Sequence, residues 1–375
     1  MRLELSLAAG LALMLIAGPA PAATPDRYTI ARACTTPTPE RPVCLADRSW
    51  TAAEALQRIG VHHVLAFAEG PTLTVMTRRD AGPVSLCCAI TAPMSRVAGS
   101  DVWTVSVNIF ALDRAIFEFQ ITPAPLPGSP DVYYGAHAAY PPVSEPLQEQ
   151  LVVEMLPSKA LGVTRKLTLY LPPHYDKAQR YPVLYMADGF AVPVFASAIE
   201  AAILSGQIRP LIVVGLWPGE GGERSREYLP GRSAPRYAEH ADFVLDEVLP
   251  LIEQKYAPST QPQDRLIAGF SDGAAWALST GLKHKDVFGG IIALSFGWKP
   301  AAVGIDAPDR PRLFLASGLL EPDFDATTRE ALLHAGNAHN PVTFDSYTSG
   351  HELPAWRSML LDALRWFFPG DKPKP

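Results

Sequence analysis

The stretch Leu266-Ile267-Ala268-Gly269-Phe270-Ser271-Asp272-Gly273-Ala274-Ala275-Trp276-Ala277-Leu278 sets an apolar run, a glycine-bracketed serine and a helical pattern in direct succession. The run predicts a buried strand and the tail predicts a helix. Between them, Gly269 and Gly273 permit a tight turn that side chains would block. A strand–turn–helix of this kind exposes the serine hydroxyl at the end of a sheet. The helix that begins there offers backbone N–H groups and a positive dipole end to a developing anion. The pentapeptide alone is common, and its chemistry requires a base and an acid elsewhere in the chain.

A serine hydroxyl becomes a useful nucleophile when an imidazole takes its proton and a carboxylate holds that imidazole in one tautomer. With a serine in a turn of this type, the partners follow in the order acid, then histidine. Of nine histidines, only His334, His339 and His351 lie well beyond Ser271. His334 falls in the helical pattern Thr327–Leu333 and His339 in the polar turn after it, so both read as surface positions. His351 ends Ser349-Gly350-His351, after the strand-like Val342–Tyr347 and before the amphipathic segment Pro354–Phe368. That is a loop at a strand's C-terminal end, where open α/β sheets hold their sites. The acid is expected after the preceding strand, Arg312–Ala316. The loop there offers Glu321, Asp323 and Asp325, and spacing does not choose among them.

The 375 residues predict two domains, and 48% hydrophobic with 19% charged residues fits globular material. Leu5–Gly18 is an apolar run too short to span a membrane, and Ala20-Pro21-Ala22 follows it. Residues 1–22 therefore read as a secretory signal, leaving a periplasmic or secreted protein. A net charge of −6 argues against nucleic-acid binding, and no later stretch reaches membrane-spanning length. All four cysteines, Cys34, Cys44, Cys87 and Cys88, lie in the first quarter, which in an exported chain predicts disulfides. A Cys87–Cys88 bond is disfavoured for adjacent residues. Either both pair with Cys34 and Cys44, or a Cys34–Cys44 loop leaves Cys87 and Cys88 reduced. Zinc is not expected, because no histidine stands at ligand spacing with these thiols.

Residues 60–125 read as all-β, with alternating runs at Thr72–Thr77, Val84–Ile90, Val102–Val107 and Ile116–Ile121. Seven prolines between Pro123 and Pro146 mark a linker or an ordered wrap, in which Tyr133, Tyr134 and Tyr140 are candidates to pack on the next domain.

With these residues in hand, the chain resembles the esterase D-like α/β-hydrolases, and in particular the enterochelin (enterobactin) esterases. The likeness runs through Arg165–Tyr175, Tyr181–Gly189, Arg224-Ser225-Arg226-Glu227-Tyr228, Ala241–Ile252, Asp286–Gly289, Ser295-Phe296-Gly297-Trp298 and Gly350-His351-Glu352. Ala274 departs from the second glycine usual after the turn. The resemblance implies an α/β-hydrolase doubly wound sheet over 151–370, behind an N-terminal immunoglobulin-like β-sandwich over 23–135. A linker would cover 136–150 and a tail 371–375. It favours Glu321, through the Glu321-Pro322 pair, as the acid beside Ser271 and His351. It also implies an oxyanion hole from the N–H groups of Asp272 and of Gly189 or Phe190, with Trp298 near the substrate.

Arg224, Arg226, Arg232 and Arg236 lie between the strand ending at Leu216 and a helix beginning near Tyr237, among Glu220, Glu223 and Glu227. On an acidic chain this cluster, Arg224 and Arg226 above all, is a candidate clamp for an anionic substrate. The expected activity is an exported serine esterase needing no cofactor or metal, acting on a small-molecule ester such as a ferric catecholate siderophore. Two alternatives remain: an exported esterase for feruloyl or acetyl esters of polysaccharide, and a binding protein on the hydrolase fold.

Overall fold

The computed structural model describes residues 28–29, 34, 36–123, 131–139, 147, 151–297, 304–336 and 339–371. The expected signal 1–22, most of the expected linker, Tyr140, Trp298 and residues 372–375 lie outside the described residues. No described helix is long and apolar enough to cross a membrane.

The N-terminal strands are β1 (Tyr28–Thr29), β2 (Val43–Leu45), β3 (Val64–Glu69), β4 (Thr72–Arg78), β5 (Ser85–Cys88), β6 (Ile90–Pro93), β7 (Ser95–Arg96), β8 (Val102–Ile109), β9 (Ile116–Thr122) and β10 (Asp131–Tyr134). Helix α1 (Ala52–Ile59) begins at Thr51, whose side chain and that of Glu54 cap it reciprocally. One sheet runs β1-β6-β5-β9-β10, the other β2-β8-β4-β3 with β7 on β8. Their inner faces share one core, with Leu73, Val75 and Val107 on one side and Leu86, Phe117 and Phe119 on the other.

Residues 84–90 form two strands rather than the single strand expected. β5 and β6 pair antiparallel through Leu86↔Ala92. The alternation read across Val84–Ile90 fails after Leu86, where the run is apolar throughout, and reversing the chain there buries Leu86, Ala89, Ile90 and Ala92 together. Cys34 and Cys44 are disulfide-bonded. Cys87 and Cys88 stand outside that bond with their sulfurs 2.6 Å apart. β10 pairs with β9, Tyr133 stacks on Phe117, and Gly135 N–H donates to Ala115 O, so the chain stays on this domain past Tyr134.

The second domain carries an eight-stranded sheet of β11 (Val152–Pro157), β12 (Thr164–Tyr170), β13 (Val183–Ala187), β14 (Ile212–Leu216), β15 (Arg265–Phe270), β16 (Gly290–Leu294), β17 (Arg312–Gly318) and β18 (Val342–Tyr347). Its order is β11-β12-β14-β13-β15-β16-β17-β18. β11 and β12 run antiparallel, and from β14 to β18 every pairing is parallel. The helices are α2 (Val192–Leu204), α3 (Glu223–Tyr228), α4 (Ala234–Asp242), α5 (Leu249–Tyr256), α6 (Asp272–Lys283), α7 (Pro322–Ala335) and α8 (Leu353–Phe367), with a π-helical stretch Phe243–Val248 before α5. Two apolar layers cover the faces, one under α6 with Trp276 and Phe288, the other under α2 and α8 with Phe195 and Leu364. Chain order reverses about β13, so the crevice for a ligand opens beyond the C-terminal ends of β13 and β15. The arginine-bearing segment, expected as a loop, folds into α3 and the start of α4.

The domains share their interiors. Leu320, between β17 and α7, is fully buried in the core of the N-terminal sheets. Ile116 N–H donates to Thr348 O at 3.0 Å, and the Thr348 hydroxyl donates to Phe110 O at 3.0 Å. A methyl group at Gly350 would stand 2.6 Å from Ala89 Cβ. Leu320→Ala is expected to cost about 2–5 kcal/mol through the cavity it leaves. Urea unfolding should show the loss.

Candidate active site

β15 delivers Ser271 as the non-helical residue ahead of α6, with φ 57° and ψ −129°. Left-handed φ is costly for a residue with a side chain, and the surroundings enforce it here. A Cβ at Gly269 would lie 2.1 Å from Gly273 O, and one at Gly273 would lie 2.9 Å from Ala187 Cβ and from Asp188 Oδ2. The two glycines therefore serve a close approach of β15, α6 and the end of β13. Ser271 N–H donates to Leu294 O at 3.0 Å, and the residue is partly exposed.

One strand over, β13 ends on Asp188, also left-handed at φ 57°, and the short helical turn Gly189–Ala191 leads into α2. A Cβ at Gly189 would strike Gly215 backbone atoms at 2.6 Å, so this turn sits directly on β14. The N–H groups at Gly189 and Phe190 thus begin one helix beside the end of β13, and that of Asp272 begins another beside the end of β15.

Arg224 joins these two turns. Its Nε and Nη2 donate to the two Asp188 carboxylate oxygens at 2.7 and 2.8 Å, and Nη1 donates to Asp272 Oδ2 at 3.0 Å. Ser225 Oγ adds a 3.0 Å bond to the same Asp272 oxygen. Asp188 has no exposed surface, and burial raises its pKa against the pull of Arg224. Asp188 N–H donates to Tyr228 OH at 3.0 Å. The expected clamp residue therefore has its guanidinium committed to two carboxylates. Arg236 is tied to Glu223, Glu227 and Glu239, and Arg165 pairs with the buried Glu227. Arg226 pairs with Glu223 on the surface and stays half exposed. Nothing in the spacing of these residues marked Asp188 and Asp272 as Arg224's partners, because strand order creates the contact.

His351 and Glu321 meet from neighbouring loops, His351 Nδ1 lying 2.6 Å from Glu321 Oε2. Asp323 and Asp325 fall in the first turn of α7, and Asp325 pairs with Arg329 and accepts from Ser317 Oγ at 2.6 Å. Burial raises the Glu321 pKa, opposed by hydrogen bonds from His351, Ser295 and Gly318 N–H. The imidazole stacks on Phe324 at 4.0 Å and meets Trp356 edge-on at 4.7 Å. Trp356 in turn stacks on Phe270, next to Ser271, at 4.3 Å. No hydrogen bond joins the Ser271 hydroxyl to His351 among the described residues. Such contacts commonly tighten only around bound substrate. Phe190 is 39% exposed and faces Trp217, over whose ring Lys166 Nζ lies at 4.0 Å. Among the described residues, no group of three or more His, Cys, Asp or Glu is placed to hold a metal ion.

The family described as Putative esterase matches residues 158–367. The chain is 28% identical over 248 residues to the iron(III) enterobactin esterase of Dickeya dadantii, covering 58% of this chain and 54% of that protein. It thus spans about half the length of that curated relative. It is 27% identical over 219 residues to an endo-1,4-beta-xylanase/feruloyl esterase of Xylanibacter ruminicola, covering 54% of this chain and 29% of that protein. The crystal structure of the enterobactin esterase from Shigella flexneri shares the fold, with a TM-score of 0.67 at 16% identity over 83% of this chain and 97% of that one.

Arg224→Ala would leave the Asp188 carboxylate buried without its cation, at an expected cost of about 3–5 kcal/mol. Thermal unfolding should show this loss, with Arg224→Lys recovering only part of it. Behind the same turn, His240 packs on Tyr228 and Trp276 with neither ring nitrogen bonded among the described residues. Burial, aided by Arg165 and Arg236, holds its pKa down at about 3 against the usual 6.5. The unfolded imidazole takes a proton below pH 6.5 and the folded one only near 3. This group's stability is therefore present above 6.5 and is lost as pH falls, by about 1.4 kcal/mol per unit. Urea unfolding at pH 7 and pH 5 should show a smaller acid loss for His240→Phe than for the native chain.

Proposed function

The chain belongs to that esterase family, and on this premise we propose an exported serine carboxylic ester hydrolase that cleaves a catecholate siderophore of the enterobactin trilactone type. Ser271 Oγ attacks the ester carbonyl while His351 Nε2 takes its proton. Glu321 holds the Nδ1–H and stabilises the imidazolium. The oxyanion is received by the N–H groups of Asp272 and of Gly189 or Phe190, aimed where charge develops. Collapse breaks the ester C–O bond, and His351 gives its proton to the departing alcohol. Water then attacks the acyl-serine with His351 again as base. One observation carries the reading: the 2.6 Å His351–Glu321 contact beside a serine at the head of α6.

The siderophore is supported by sequence likeness to the iron(III) enterobactin esterase of Dickeya dadantii, 28% identical over 58% of this chain, against 27% over 54% for the feruloyl esterase relative. The immunoglobulin-like character of the N-terminal sheets belongs to the same proposal. Lys166, lying over Trp217 beside Phe190, supplies positive charge for catecholate oxygens, and the half-exposed Arg226, paired with Glu223, is the proposed second cation. Trp298, outside the described residues, remains a proposed contact. Export after residue 22 is supported by the Cys34–Cys44 disulfide, which suits an oxidising compartment.

A second reading, an esterase for feruloyl-type esters, is favoured by the carboxylates that occupy Arg224 and Arg236. Mass-spectrometric hydrolysis of ferric and iron-free enterobactin, beside a feruloyl ester, separates the two. Linear trimer, dimer or monomer products are expected, falling by at least about 10⁴-fold in Ser271→Ala. Turnover of the feruloyl ester with enterobactin untouched would overturn the siderophore. Turnover of neither would favour the binding-protein alternative.

A further inference from the structure

The hydrogen bonds behind Glu321 can run in one direction only. The Trp356 indole N–H is a donor without acceptor capacity, and it points at Ser295 Oγ at 2.9 Å. The serine oxygen therefore accepts, and its single proton is left for Glu321 Oε1, 2.5 Å away. Gly318 N–H donates to that same oxygen. Two donors on Oε1 bar a proton from that oxygen and favour the ionised carboxylate, whose Oε2 then accepts from a protonated Nδ1 of His351. The lone pair then lies on Nε2, the nitrogen needed as base.

Ser295 is built for this place. It is fully buried at the end of β16 with φ 54°, and its N–H is fixed on Ala316 O at 2.8 Å. We propose that Ser295 and Trp356 are positioning residues of the esterase, a fixed donor chain that keeps Glu321 an acceptor and so sets the His351 tautomer. The inference rests on the reading of Ser271, His351 and Glu321 as the reacting set. The ionisable groups facing Glu321 are His351 and the buried Glu352, whose carboxylate accepts from Gly350 N–H. Asp325 is turned away to Ser317 and Arg329.

Ser295→Ala removes the hydroxyl, and Trp356→Phe removes the indole N–H while keeping an aromatic ring against Phe270. With a short-chain aryl ester, each is expected to lower kcat roughly ten- to a hundredfold with KM little changed. The acid limb of the kcat/KM profile is expected to move up by about one pH unit, because Glu321 loses a donor that favours its ionised form. A purely structural role would lower activity without moving that limb. Near-ultraviolet circular dichroism identifies a variant that fails to fold, and the other variant then carries the test. Ser271→Ala and Glu321→Gln are run beside them. Wild-type turnover in those two would sink the esterase reading itself. Loss of activity there, with the acid limb unmoved in the positioning variants, would overturn only the donor chain.

Discussion

Three neighbouring strands, β13, β15 and β16, each end on a residue with a side chain in the left-handed region: Asp188, Ser271 and Ser295. Each such residue costs of order 1–3 kcal/mol and persists only where its surroundings leave no alternative. For β13 and β15, which lead directly into helical turns, the constraint has a common origin. A parallel strand that must turn at once into a helix can present a side chain or an N–H group at the sheet's edge only by reversing its backbone hand. Gly269 and Gly273 clear the space for Ser271. Arg224 and Tyr228 pin Asp188. Trp356 and Glu321 hold Ser295.

The electrostatics follow from the same geometry. Two carboxylates, Asp188 and Glu321, are withdrawn from water on either side of Ser271, and each is compensated differently. Asp188 receives a bidentate guanidinium, a pairing that fixes orientation as well as charge. Glu321 receives neutral donors and an imidazole, so its charge stays available to stabilise an imidazolium. A full cation beside Glu321 would hold the carboxylate ionised but would repel the positive ring that the proposed mechanism forms.

The pieces legible in the sequence were those with local signatures. The apolar run before Gly269, the turn, the helix after it and the loop ending at His351 all announce themselves through periodicity and punctuation. Glu321 came forward only through resemblance, since Asp323 and Asp325 carry the same local signal and differ from it only in where α7 begins. The partners of Arg224 and the role of Ser295 were hidden. Asp188 and Asp272 stand 36 and 48 residues from Arg224, and Trp356 stands 61 from Ser295. Such contacts arise from strand order, which spacing along the chain does not encode. The reversal between β5 and β6 was missed because Leu86–Ile90 is apolar throughout and offers no alternation.

Leu320 has its side chain in one domain's core and its backbone beside Glu321 and the His351 loop of the other. The two halves of this protein are therefore not beads that a recombination event could exchange freely. A second domain inherited alone would keep Ser271, Glu321 and His351 yet carry an apolar plug with no socket. Change in the N-terminal sheets is thereby tethered to the geometry of the loops that carry Glu321 and His351.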